Sequence, residues 1–349
     1  MTAVETSSNV PEQEKIIRPF ELQTPYEFLG DFVTLCQKAE KRIWVQTFQF
    51  RASHGTNLMV NSMAEAARRG VDVQFGIDWY SQNLFKKEQI LPQKFNNQTF
   101  QRIKELQGAG SIVFQTNEPN LLGKKLKYLG RNHAKITIVD DVAWIGSMNL
   151  SQHHFNDSEI MVKISSRDFV DQICRAFNLM QNGIDADLGF FIKDQGAILI
   201  DSSKKGYSLI YNQARGLVWG AKEITLVSQY VPSFGFLDDL VEEAGWGSKV
   251  TFITSNKDDY RLTGFGNKYF YDRMIKKTKK FPNFKVIHSK GPVHAKLLMV
   301  DGEKAIFGSH NFTYLTVLAG TGELSIQTKD SYLLGQFEVF RDKLINQAE

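Results

Sequence analysis

Residues 133–149 read HAKITIVDDVAWIGSMN, and residues 294–311 read HAKLLMVDGEKAIFGSHN. Both fit one pattern: His-x-Lys, four residues, Asp, a short gap, then Gly-Ser-x-Asn. The first copy supplies His133, Lys135, Asp140, Gly146, Ser147 and Asn149; the second supplies His294, Lys296, Asp301, Gly308, Ser309 and Asn311. The gap from Asp to Gly is one residue shorter in the first copy, which a shorter hairpin turn absorbs. A duplicated chemical motif points to a duplicated structural unit.

Working outward, AEKRIWVQTFQF (39–50) matches AKEITLVSQYVP (221–232), and GVDVQFGID (70–78) matches GSKVTFITS (247–255). The offsets are 221 − 39 = 182, 247 − 70 = 177 and 294 − 133 = 161. They fall along the chain, so the first half carries extra residues, most of them in QTNEPNLLGKKLKYLGR (115–131). Apolar periodicity predicts the same order of elements in each half. A helix (27–41; 206–220) precedes a strand (43–49; 223–230), an amphipathic helix (57–69; 235–245) and a second strand (71–77; 249–254). Next come a helix (98–108; 267–279), a strand (111–115; 284–288) and a hairpin turning at Asp140-Asp141 or Asp301-Gly302. A last strand (159–164; 323–328) and helix (168–182; 331–346) close each half. Strands alternating with helices predict an α/β fold of two repeated sandwich halves, each a mixed sheet flanked by helices. The expected divisions are a flexible tail at 1–24, an N-terminal half at 25–185 and a C-terminal half at 186–349.

The 349 residues include 42 Lys and Arg against 38 Asp and Glu, a net charge of +4, too small to announce a nucleic-acid binder. The apolar fraction of 42% and charged fraction of 23% exclude a disordered, collagenous or coiled-coil chain. No apolar run reaches the roughly 18 residues of a membrane span, and the polar N-terminus does not read as a secretory signal. Cys36 and Cys174 lie in apolar helical patterns and read as packed small side chains, so a reducing compartment is expected. The expected location is cytoplasmic with peripheral membrane contact, and the expected state a monomer.

The motif's spacing has a chemical sense. On a strand, residues i and i+2 share a face, so His133 with Lys135, and His294 with Lys296, project together. Ser147 with Asn149 and Ser309 with Asn311 share parity likewise. Two such sets face to face suit a phosphodiester, with cations and neutral donors around phosphoryl oxygens and imidazoles handling nucleophile and proton. Asp140 and Asp301 fall at the hairpin turns and read as turn or orienting residues.

The duplicated HxKx4D…GSxN resembles the phospholipase D superfamily over about residues 25–346. Arg131-Asn132-His133 and Gln229-Tyr230-Val231-Pro232 lean towards its cardiolipin-synthase-like and bacterial phospholipase branch. The resemblance implies a phospholipase D-like fold with one metal-free active site across a pseudo-twofold axis, a phosphohistidine intermediate and no cofactor. It implies catalytic roles for His133, Lys135, Asp140, His294, Lys296 and Asp301, with His133 as nucleophile and His294 as acid. It implies phosphate contacts from Ser147, Asn149, Ser309 and Asn311, and His-orienting carboxylates at Glu159 and Glu323. The expected substrate is a phospholipid, cleaved or transferred; the rivals are a nuclease of the same superfamily and a non-catalytic lipid- or nucleic-acid-binding scaffold.

Adjacent His153 and His154 point apart on a regular element, and no ligand-spaced set stands outside the motif, so no metal site is expected. Lys124, Lys125 and Lys127, beside Leu121, Leu122 and Tyr128, form a basic–apolar stretch suited to an anionic lipid surface. Lys276, Lys277, Lys279 and Lys280 read as a solvated face. Trp79, Tyr80 and Phe85 follow a strand end and are candidate groove residues.

Overall fold

The computed structural model describes residues 18–79, 81, 93–117, 131–182, 186–202, 204–256 and 267–348. Leu121, Leu122, Lys124, Lys125, Lys127, Tyr128, Tyr80 and Phe85 lie outside the described residues, as do 1–17.

Two mixed sheets carry the fold. The first half supplies β1 (Phe20–Gln23), β2 (Arg42–Thr47), β3 (Asp72–Asp78), β4 (Ile112–Thr116), β5 (Arg131–Asn132), β6 (Ile136–Val139), β7 (Val142–Gly146) and β8 (Met161–Ile164). The second supplies β9 (Leu188–Ile192), β10 (Gly196–Ser202), β11 (Glu223–Ser228), β12 (Lys249–Thr254), β13 (Phe284–His288), β14 (Lys296–Val300), β15 (Lys304–Gly308) and β16 (Thr321–Thr328). The first sheet runs β1-β8-β7-β6-β2-β3-β4; the second runs β13-β12-β11-β14-β15-β16-β10-β9. Read in opposite directions the two orders coincide, with β10 in the place of β1, as a duplicated unit requires.

The ladders fix the equivalence. Ile43 pairs with Val139, and Ile224 with Val300. Since 300 − 139 = 161, the offset between the two motifs, Ile43 and Ile224 correspond. Their offset is 224 − 43 = 181, one less than direct alignment of 39–50 with 221–232 suggests.

The predicted tail ends too late. Phe20 pairs with Ile164 and is 1% exposed, so β1 belongs to the first half, and strong period-2 alternation is too short there to see. Thr24 then caps the helix Pro25–Lys38. Its side chain accepts from the Glu27 amide while Glu27 reaches back to the Thr24 amide at 2.7 Å, a capping box before an apolar stripe of Phe28, Leu29, Phe32 and Cys36. Cys36 and Cys174 are both buried, and burial pushes both thiols up, consistent with packed rather than reactive groups.

Each half buries one sheet face under its own helices, forming separate clusters around Phe75 and Phe252. A third cluster joins the halves, with Ile136, Ile145 and Phe169 of one meeting Leu297, Phe307 and Phe337 of the other. The join is sealed by exchange. β5 leaves the first half to pair in parallel with β16, where Arg131 faces Thr321 and Asn132 faces Gly322. Reciprocally, Ser158 bridges Val293, and the amides of His294 and Ala295 donate to Ser158 O at 3.0 and 2.8 Å. Each motif histidine is thereby anchored beside the segment that carries the other half's glutamate.

Candidate active site

The hairpin turns come first, because they remove two residues from the site. Asp140 (φ 48°) and Asp301 (φ 55°) hold left-handed backbone at the β6–β7 and β14–β15 turns. The Asp140 carboxylate accepts the amides of Glu40, Lys41 and Arg42 at 2.9–3.0 Å. Asp301 accepts those of Lys222 and Glu223 at 2.8 Å. Both therefore latch the hairpin to the start of the neighbouring strand. The catalytic role that the resemblance implies for them does not fit this placement.

Gly146 and Gly308 explain the next part of the motif. A Cβ on Gly146 would stand 2.1 Å from Ile160 O, and one on Gly308 2.4 Å from Leu324 O. Only glycine lets β7 and β15 close this tightly on the following strands. The closure brings each serine onto a glutamate. Ser147 Oγ donates to Glu159, and Ser309 Oγ donates to Glu323. Both serines are completely buried. Sequence parity predicted that they would face phosphate with the asparagines; instead they clamp the carboxylates.

The glutamates reach across the join. His133 Nδ1 lies 3.0 Å from both oxygens of Glu323, and His294 Nδ1 lies 2.7 Å from Glu159 Oε1. Each histidine is held by the carboxylate of the opposite half. Both line one cavity of about 610 Å³, together with Phe48, Arg131, Asn149, Tyr230, Phe270 and Asn311. Its walls mix aromatic and aliphatic side chains with convergent polar groups, as ligand sites do.

The lysines sit behind the histidines. Lys135 and Lys296 are buried, and their ammonium groups donate to the carbonyls of His133 and His294 at 2.6 and 2.5 Å. In neither half does a single strand carry both residues: Lys296 opens β14, Lys135 precedes β6, and each histidine lies before the strand. The extended backbone still fixes their spacing. Burial pulls the Lys135 ammonium down to about 7, against the opposing pull of Glu323, with Lys296 adding to the depression. Burial, then Lys135, Lys296 and Arg131, hold His133 well below the usual imidazole range. Burial does the same to His294, with Glu159 working against it and Lys296 adding to it.

Sequence reasoning missed two groups. Asp78 is fully buried at the end of β3 and accepts the amide of Asn132 at 2.7 Å and that of Ser81 at 3.1 Å. Burial raises its carboxyl to about 6 despite these bonds. His154 is 4% exposed on the 3₁₀ turn Gln152–Phe155 and bonds Glu159 Oε1 through Nδ1 at 2.6 Å. Nothing in the spacing of either residue marks it; the tertiary fold brings them in. Trp79, a predicted groove residue, does not line the cavity.

His154, Glu159 and His294 form a buried trio with ligand atoms within 4.8 Å of one another. The set includes His294, so it lies partly within the motif rather than outside it. Each Nδ1, however, stands at hydrogen-bond distance from Glu159 Oε1, 2.6 and 2.7 Å. Tetrahedral bonds of about 2.1 Å would set such donors about 3.4 Å apart. The trio fits shared protons better than a shared ion.

Residues 32–181 and 213–344, one segment per half, match the family described as cardiolipin synthase, PLD-like domain. The chain belongs to that family. Among its relatives, the cardiolipin synthase of Clostridium perfringens (strain 13 / Type A) is 22% identical over 339 residues, spanning 87% of this chain and 65% of that protein. Cardiolipin synthase B of Escherichia coli (strain K12) is 24% identical over 310 residues, spanning 80% of this chain and 69% of that one. The chain thus spans just under two thirds of the first relative's length. In fold it is similar to the phosphatidylserine synthase of Haemophilus influenzae Rd KW20, with a TM-score of 0.73 and 15% identity over 95% of this chain and 87% of that one. The paired phospholipase D-like halves are the architecture of this family member.

Proposed function

We propose that this chain transfers or hydrolyses the phosphodiester of a phospholipid through a covalent phosphohistidine, in one active site built by both halves. The observation that carries the reading is the crossed pair: two imidazoles, each held through Nδ1 by the other half's glutamate, on the wall of one cavity. With Nδ1 engaged, Nε2 is the reacting nitrogen of each ring.

The electrostatics favour His133 as nucleophile. Its imidazole must be neutral to attack phosphorus, and burial, then the cations Lys135, Lys296 and Arg131, favour that form. Its partner Glu323 is raised by burial, so the charged carboxylate is less favoured there than at Glu159. Glu159 is the reverse: burial would raise it, but His294 and His154 outweigh that and hold it well below the usual carboxylate range. Burial lowers both rings, but Glu159, held in its charged form, pulls His294 back towards the proton that the acid must carry. In the first step a P–N bond forms at His133 Nε2 while the P–O bond to the leaving alcohol breaks, and His294 gives that oxygen its proton. Water or a second alcohol then gives its proton back to His294, forms the new P–O bond and releases His133. Asn149 and Asn311 line the cavity as phosphoryl donors.

The apolar wall formed by Phe48, Val231, Phe270 and Leu315 suits a lipid better than a polynucleotide. No helix of the described residues is long and apolar enough to cross a membrane. The substrate is instead met at a surface. Tyr269, Arg273, Lys276 and Lys280 share one face of the helix Asn267–Thr278 and its continuation, beside a groove of about 850 Å³, while Asn267 and Phe270 of that helix line the catalytic cavity. This basic face is the contact we assign to anionic headgroups.

Labelled phosphatidylglycerol, phosphatidylcholine and single-stranded DNA, offered side by side in EDTA, test the reading. Expected are lipid turnover and an acid-labile label on His133. Label on His294 reverses the roles; no label at all removes the covalent step; turnover of DNA alone removes the lipid substrate.

A further inference from the structure

Glu159 Oε1 takes two imidazole N–H groups at once, from His294 at 2.7 Å and from His154 at 2.6 Å, while its other oxygen takes the Ser147 hydroxyl. His154 continues the chain outward. Its Nε2 accepts from Asn149 Nδ2 at 3.1 Å, which orients an amide on the cavity wall. The rings of His154 and His294 lie 4.5 Å apart, and both line the cavity. The other half does not repeat this. The motif imidazole nearest to Glu323 is His133, while His310 spends Nδ1 on the Phe312 amide at 2.9 Å and lies 3.4 Å from Thr316 Oγ1 through Nε2.

We propose that His154 is a positioning residue that ties the leaving-group acid to the phosphoryl donor: through Glu159 it limits the proton affinity of His294, and through Nε2 it aims Asn149 at the phosphoryl oxygen. The inference rests on the reading of His294 and Asn149 given above. The charges facing this group are Glu159, Lys296 behind His294, Asp157 with Oδ2 at 3.6 Å from His154 Nδ1, and His153 with its ring 4.3 Å from that of His154. A carboxylate oxygen that serves two donors holds each less tightly than it would hold one. Removing His154 therefore leaves all of the pull of Glu159 on His294, and His294 titrates higher. It also frees Asn149 to rotate away from the phosphoryl group.

Three variants separate the two links. His154→Ala breaks both. In His154→Asn the amide nitrogen stands where Nδ1 stood, so the link to Glu159 is kept. In His154→Gln the amide stands where Nε2 stood, so the link to Asn149 is kept. His154→Ala is expected to lower kcat by about 10- to 100-fold with KM within about twofold, as loss of an orienting partner does. It should also move the alkaline limb of the kcat profile up by about half to one pH unit. His154→Asn should keep the wild-type limb with a reduced rate, and His154→Gln should move the limb while recovering most of the rate. NMR titration of labelled His294, without substrate, reads the first link independently of turnover. A wild type that forms no phosphohistidine would remove the covalent mechanism while leaving that titration interpretable. Unchanged titration of His294 in His154→Ala, or equal loss of rate in all three variants with no shift of the limb, overturns the proposal.

Discussion

The two halves place the same backbone at the same positions and then surround it differently. β3 and β12 correspond with an offset of 250 − 73 = 177, so Asp78 stands where the second half has Ser255. Asp78 accepts the amide of Asn132 at 2.7 Å, and Ser255 Oγ accepts the amide of Val293 at 3.0 Å. Each group steadies the backbone just before a motif histidine, but one is an acid and the other a hydroxyl. Glu159 and Glu323 diverge in the same way, the first held down by two imidazoles and the second pushed up by burial. A duplicated scaffold delivers two histidines with nearly identical geometry; in the reaction we propose, their unequal neighbours assign one as nucleophile and the other as acid.

The comparison breaks most decisively if the halves work separately. His133→Ala and His294→Ala should each lose several orders of magnitude, and the double variant should be little worse than either, because groups acting as a unit are not additive. Half-activity in a single variant, read as kcat on a phospholipid, would mean two independent sites.

The next effect compares the carboxylates. Glu159→Gln should cost on the order of 10³-fold in kcat and Glu323→Gln only about tenfold, since the charge on Glu159 is held by two imidazoles and supports the acid, while burial works against the charge on Glu323. Equal losses would erase the assigned asymmetry between acid and nucleophile.

Asp78 sharpens the comparison in two ways. Its folded pKa of about 6 lies above its ordinary 3.8, so the unfolded chain releases this proton first and stability falls as pH rises through that window. The shift corresponds to about 3 kcal/mol. Asp78→Ser, which copies the second half, should remove that component of the pH dependence in chemical denaturation between pH 4 and 6. Above that window ionised Asp78 helps to keep Lys135, at about 7, protonated. The alkaline loss of activity should therefore begin at lower pH in Asp78→Ser. A variant that tracks the wild type in both assays would show that the acid and the hydroxyl are interchangeable.

The smallest effect concerns docking. Exchanging either Lys276 or Lys280 for Gln should weaken sedimentation with vesicles rich in phosphatidylglycerol by about fivefold, at about 1 kcal/mol per basic residue. Turnover of a short-chain soluble lipid should be unchanged. Equal binding to zwitterionic vesicles would place the membrane contact elsewhere.

The sequence by itself determined the repeat, the fold class and the motif histidines and asparagines that line the shared cavity. These are legible because strand and helix periods and a duplicated motif are local properties of the chain. Helices 267–279 and 331–346 and strand 284–288 are legible within a residue for that reason. Only the tertiary structure decided which glutamate serves which histidine. Parity along β7 and β15 cannot show that Ser147 and Ser309 turn onto Glu159 and Glu323, because the partner is set by a neighbouring strand. Likewise Asp78 and His154 lie 54 and 5 residues from the groups they hold, Asn132 and both Asn149 and Glu159, and no spacing rule marks them. Burial did the rest: Glu159 and Glu323 acquire opposite shifts only once water is excluded and the two halves share a wall, because the energy of a charge depends on its neighbours in space.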